Sequence, residues 1–125
     1  MHPQITLAAF EYFCEPGMDY LSPIKFAKTF SLDRPSLARL LKVSPAYLRR
    51  HADATDVQEA LTRFVVVYSA LLDTTPEKDT VRAAFHFRNT PIRSFGYQTL
   101  FEVVEAGNDE GALGFVHSIS SGYVG

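Results

Sequence analysis

The stretch whose reading decides the fold is Pro35-Ser36-Leu37-Ala38-Arg39-Leu40-Leu41-Lys42-Val43-Ser44-Pro45-Ala46-Tyr47-Leu48-Arg49-Arg50-His51. Leu37, Ala38, Leu40 and Leu41 fall at the spacings of one helical face. Val43-Ser44-Pro45 breaks that face and restarts a helix from Ala46 to His51. Two short helices joined by a turn of this length form the helix-turn-helix pattern. Asp33, just ahead of Pro35-Ser36, is the expected N-cap of the first helix.

Working outward, Ser22-Pro23 opens an earlier helix, because serine caps and proline suits the first helical position. Ile24, Ala27 and Phe30 mark its apolar side. Before it, Ile5 to Phe13 reads as a short helix or a strand, and Glu15-Pro16-Gly17 reads as a turn. Downstream, Val57, Ala60, Leu61, Phe64, Val65, Tyr68, Leu71 and Leu72 lie at helical spacings over Thr55 to Asp73. Phe64 to Tyr68 leaves that helix little polar face, so it is expected to be buried on most sides, a dimer or partner interface being one way to do so. Thr75-Pro76-Glu77 is expected to cap a helix reaching Phe87 or Arg88, stopped at Thr90-Pro91. A helix over Tyr97 to Ala106 follows, with Gly107 as its stop, and Asn108 caps a last helix to about Ser120. The expected fold class is all-α: a helix-turn-helix-like region over residues 1–73 and a C-terminal helical region over 74–125, packed as one unit.

Ten phenylalanines and six tyrosines in 125 residues argue for a packed core and against disorder. A net charge of −2 means that any nucleic-acid contact must come from a local patch or an oligomer. Cys14 is the only cysteine, which rules out an intrachain disulfide and suits a reducing, cytoplasmic setting. Met1-His2-Pro3 does not open a signal peptide, and no apolar run approaches a membrane span.

His2, His51, His86 and His117 are not in a metal-ligand spacing, so they read as surface or partly packed side chains and no metal or cofactor is expected. No nucleophile elbow, phosphate loop or dinucleotide fingerprint occurs, and no acid, base and oxyanion site assemble, so no enzyme is expected. Two readings of the helix-turn-helix pattern stand. In one, Lys42, Ser44, Tyr47, Arg49 and Arg50 contact DNA, with Arg49 or Arg50 at base edges or phosphates and Lys42 and Arg39 at the backbone. In the other, the pattern is an ordinary helical hairpin with a solvated basic end. Two readings also stand for the final residues. Phe115, Val116 and Ile119 suit a core, whereas Tyr123-Val124, past Gly122, suit either the core or insertion into a partner's cleft.

Phe87 to Gly125 resembles the toxin-binding domain of the MbcA/ParS/Xre antitoxin family. Phe87 stands for that family's aromatic, Thr90-Pro91 for its loop and Phe95-Gly96 for its turn. Thr99-Leu100-Phe101-Glu102-Val103-Val104 stands for its helix start, Asn108-Asp109-Glu110-Gly111-Ala112 for its last helix and Ser121-Gly122-Tyr123-Val124-Gly125 for its tail. The chain departs from the family at Ile92-Arg93, Tyr97, Leu100 and Ser121. With the helix-turn-helix half included, the likeness runs from about Ser22 onward.

The resemblance implies a type II antitoxin whose partner is a RES-domain toxin that consumes NAD or uses it for ADP-ribosylation. It implies that Ser121, Gly122, Tyr123, Val124 and Gly125, together with Phe87, bind the toxin, the tail closing its NAD cleft. It further implies a homodimer within a hetero-oligomeric complex that represses its own operon by binding operator DNA. The alternative is a free-standing helix-turn-helix transcriptional regulator.

Overall fold

The computed structural model describes residues 4–120. Described residues form eight helices and no strand, so the fold is all-α. The helices are α1 Leu7–Tyr12, α2 Pro23–Thr29, α3 Arg34–Leu41, α4 Pro45–Arg50, α5 Thr55–Thr74, α6 Thr80–Asn89, α7 Leu100–Glu105 and α8 Asp109–Ser120. None of them is long and apolar enough to cross a membrane. The chain divides into two compact units between Val65 and Val66, inside α5, whereas the sequence-based division after residue 73 follows the end of that helix.

Most helix starts are written in the local chemistry. Side-chain oxygens of Thr6, Ser22, Asp33, Ser44, Asp79 and Thr99 each accept a backbone N–H from the first turn of the helix that follows. These are donors that a helix cannot satisfy itself. Thr99 and Glu102 close a reciprocal capping box on α7, with Thr99 N–H donating to Glu102 Oε1 at 3.0 Å and Glu102 N–H to Thr99 Oγ1 at 3.2 Å.

Helix ends are less obvious from residue type. Leu32, Val43 and Asn108 donate their N–H to the carbonyls of Ala27, Ala38 and Val103, six-to-one bonds that close the C-termini of α2, α3 and α7. Each closure sets the preceding residue in the left-handed region. At α7 that residue is Gly107, as expected; at α2 and α3 it is Ser31 and Lys42, with φ of 56° and 58°.

The first unit is built on an aromatic cluster. Phe26 lies edge-on to Phe30 at 4.9 Å and to Phe64 at 5.7 Å, and Phe13 stacks near Phe30 at 6.1 Å. Leu21, Leu37, Ala38, Leu48, Val57 and Leu61 are also buried there. Gln58 of α5 staples the connections: it accepts from Leu21 N–H and donates to the carbonyls of Leu21 and Ala52, all at 2.8 Å.

In the second unit, Phe87 sits edge-on between Tyr68 and Phe101, with both centroids 6.0 Å away, and the Tyr68 hydroxyl donates to Thr80 O at 3.0 Å. Ala83, Val104, Ala112 and Val116 are fully buried around them. The run of α5 from Phe64 to Ser69 is buried.

One open expectation is decided and two are corrected. Ile5 to Phe13, open to either class, is helical from Leu7. Thr75-Pro76-Glu77 does not cap α6: Pro76–Lys78 is a separate 3-10 turn with Glu77 and Lys78 at positive φ, and Asp79 is the cap. The seventh helix starts at Leu100, not Tyr97, because Ile92 and Gln98 pair across a tight turn that carries Gly96 and Tyr97 at positive φ.

Candidate functional site

Helices α3 and α4 are joined by the three-residue turn Lys42 to Ser44 and pack against each other. Lys42 at the left-handed φ, ψ of 58°, 40° reverses the chain, Val43 closes the end of α3, and Ser44 Oγ accepts from Tyr47 N–H at 3.0 Å to start α4. Leu48 turns inward and is buried, together with Leu37, Ala38 and Leu41 of α3. Its neighbours Pro45, Ala46, Arg49 and Arg50 are exposed. Ala46, Arg49 and Arg50 lie at i, i+3 and i+4, so they share one face.

Between Asp33 and His51 the sequence holds five basic side chains, Arg34, Arg39, Lys42, Arg49 and Arg50, against one acidic side chain, Asp33. A segment within a chain of net negative charge therefore carries a local positive field. Arg39 is partly committed, donating from Nη2 to Ser36 Oγ at 3.1 Å. Asp33 is tied to Ser36, whose backbone N–H and then hydroxyl hold its carboxyl below the ordinary range. Comparison with known protein families, curated proteins and solved structures finds no match to this chain.

Among the five residues read from sequence as DNA contacts, Lys42, Ser44, Arg49 and Arg50 are exposed. Ser44 is spent on the cap of α4. Tyr47 differs: it is half-buried, and its hydroxyl points back to the start of α5, donating to Asp56 Oδ1 at 3.2 Å and lying 3.4 Å from Oδ2. Its ring leans on His51 with centroids 4.7 Å apart. Partial burial, then the Asp56 charge and hydrogen bond, push the hydroxyl pKa up, so at neutral pH it is a donor. Sequence reading missed Asp56 as this partner, since a tyrosine nine positions before an aspartate is no signal by itself.

Of the residues assigned to toxin binding, Ser121, Gly122, Tyr123, Val124 and Gly125 lie outside the described residues. Phe87 is fully buried between two aromatic rings, so in this structure it shapes the second unit from inside and presents no surface to a partner. Among the described residues of this unit the large exposed apolar side chains are others: Val81 and Phe85, one helical turn apart on α6, Tyr97 in the tight turn, and Ile119 on α8. Arg88 is drawn inward, its guanidinium 4.6 Å from the Phe101 ring centroid. Cys14 is half-buried, and its thiol pKa is raised chiefly by burial, which leaves it protonated and a poor nucleophile at neutral pH. Among the described residues no group of three or more His, Cys, Asp or Glu side chains is placed to hold a metal ion.

Proposed function

We propose that this chain is a non-enzymatic antitoxin that binds operator DNA through α3 and α4 and a RES-domain toxin through its C-terminal residues. The observation that carries the DNA half is the exposed face of Ala46, Arg49 and Arg50 on a helix entered through a left-handed turn at Lys42. Such a helix fits the major groove, where arginine meets guanine edges or phosphates. The toxin half is supported by the likeness of Phe87 to Gly125 to antitoxin toxin-binding domains. The capping box of Thr99 and Glu102 and the cap at Asn108 agree with the helix starts that the likeness assigns.

In this reading Tyr123 and Val124 enter the toxin's NAD cleft and bury apolar area worth about 25 cal/mol per Å². Two copies in a complex bring two basic patches to two half-sites, which offsets the weak field of each. Co-expression with the neighbouring gene product tests it. Intact chain co-purifies with that protein and protects cells from it, whereas a chain lacking residues 122–125 stays folded and fails to protect. Protection by the truncated chain refutes the tail as the plug. A chain that binds upstream DNA but captures no neighbouring product is instead a free-standing regulator, the reading favoured if the basic face of the first unit acts alone.

A further inference from the structure

The helix-turn-helix contains a contact with no place in a simple groove-reading scheme. Tyr47 is the third residue of α4 and is clamped at both ends: its backbone N–H donates to Ser44 Oγ and its hydroxyl to Asp56. Asp56 is itself fixed, because its Oδ1 also accepts the N–H of Val57, which is fully buried. A path of fixed groups thus runs from the core of the first unit through Val57 and Asp56 to α4.

The helix needs such a path. It has six residues and buries one side chain, Leu48. So short a helix has little intrinsic stability and takes its orientation from tertiary contacts. A phenol has one hydrogen to donate, and here that hydrogen is used on a carboxylate of the same chain. The carboxylate also repels a DNA phosphate, so this edge of α4 is a poor place for the backbone to lie.

Resting on the reading of α4 as a DNA-binding helix, we propose that the Tyr47–Asp56 hydrogen bond is a tether that sets the pose of α4, and that Tyr47 is a positioning residue that touches no DNA. Base reading then falls to Ala46, Arg49 and Arg50. Ala46 offers a methyl to a thymine methyl, and the arginines offer forked donors to guanine.

The test uses the full chain with Tyr47→Phe, Asp56→Ala and the double variant. Amide hydrogen exchange of Leu48, Arg49 and Arg50 is followed in the free protein. Binding is measured, over a range of salt, to a duplex from upstream of the chain's own coding sequence and to a scrambled duplex. Each single variant is expected to speed α4 exchange about 3- to 10-fold, the effect of one hydrogen bond, with no further gain in the double variant. Tyr47→Phe is expected to weaken the upstream duplex by a similar factor and to leave the scrambled duplex and the salt dependence unchanged. Equal loss on both duplexes with α4 exchange unaltered overturns the tether and makes Tyr47 a direct contact, as do fully additive single effects on exchange. If the wild-type chain binds neither duplex, the DNA reading fails and the tether loses its use, while exchange in the variants still reports whether the tether exists.

Discussion

Replacing Lys42 by glycine is expected to make the protein more stable and, on the proposed DNA-binding reading, to weaken its hold on DNA, and the two effects have separate causes. Lys42 lies at φ 58°, ψ 40°, where the Cβ of any L-residue crowds the following carbonyl. That conformation costs a non-glycine residue about 1–2 kcal/mol, which glycine avoids. Glycine gives back part of the gain through the greater freedom of its unfolded chain, about 0.4–1 kcal/mol. A net gain near 1 kcal/mol remains, or a rise of roughly 3–5 °C in Tm for a chain of this size.

Lys42→Ala is the matched control. It removes the same charge but keeps a Cβ at the same φ, so the difference between the two variants isolates the turn. The chain has no tryptophan, so urea unfolding is best followed by far-ultraviolet circular dichroism of the helices. The charge is read separately. If Lys42 meets a phosphate, both variants lower the slope of log K against log salt by about 0.9, on any sequence. Equal stability of the glycine and alanine variants refutes the left-handed turn. An unchanged salt slope leaves the turn standing and removes Lys42 from the interface.

Phe87→Ala leaves a cavity between Tyr68 and Phe101 and is expected to cost about 3–5 kcal/mol, seen as a lower urea midpoint; a loss under about 1 kcal/mol shows that Phe87 is not enclosed. Asp33→Ala lowers Tm at neutral pH. Because the folded-state pKa of Asp33 is depressed, its contribution is present above the ordinary carboxylate pKa of about 3.9 and lost as pH falls through the folded value. The Tm gap between wild type and variant should therefore close between roughly pH 5 and pH 2, and a gap that persists in acid shows that the charge is not what caps α3. Cys14 should alkylate with iodoacetamide more slowly than free cysteine at pH 7.5 and catch up only in alkaline solution; an equal rate at pH 7.5 contradicts its burial.

Where the sequence was legible, a strong local rule and the tertiary structure agreed. Ser22-Pro23, Asp33, Ser44 and Asn108 are polar residues followed by helical periodicity, and each caps a helix. Gly107 is glycine at a left-handed position, and the stop of α7 follows from that. Ser31 and Lys42 do the same work without the residue type that announces it, so the ends of α2 and α3 can be read only from the restart that follows. The misplaced start of α7 has a related cause. Tyr97 looks like the first apolar residue of a helix, but it sits at positive φ beside Gly96, held by the pairing of Ile92 with Gln98. Likewise Thr75-Pro76 is a good local start overridden by Asp79, whose carboxylate takes the Arg82 N–H.

The candidate site divides along the same line. Arg49 and Arg50 on the outward face of α4 follow from period and from the buried Leu48, which needs no knowledge of the rest of the chain. Tyr47 does not, because an aromatic residue on the edge of a short helix is equally suited to a groove and to the helix's own support. What decides between them is Asp56, brought within hydrogen-bond distance by the turn from His51 to Ala54 and held there by the N–H of the buried Val57. A pairing across a loop leaves no periodic trace in sequence. Phe87 is the converse case: a resemblance marks it as part of a binding domain, whereas its surroundings show an interior ring. Residues singled out by pattern on such a small domain therefore divide by side-chain partners. Those with committed polar or aromatic partners inside the chain hold the scaffold in place. Basic side chains left in solvent on one helical face remain available to a ligand.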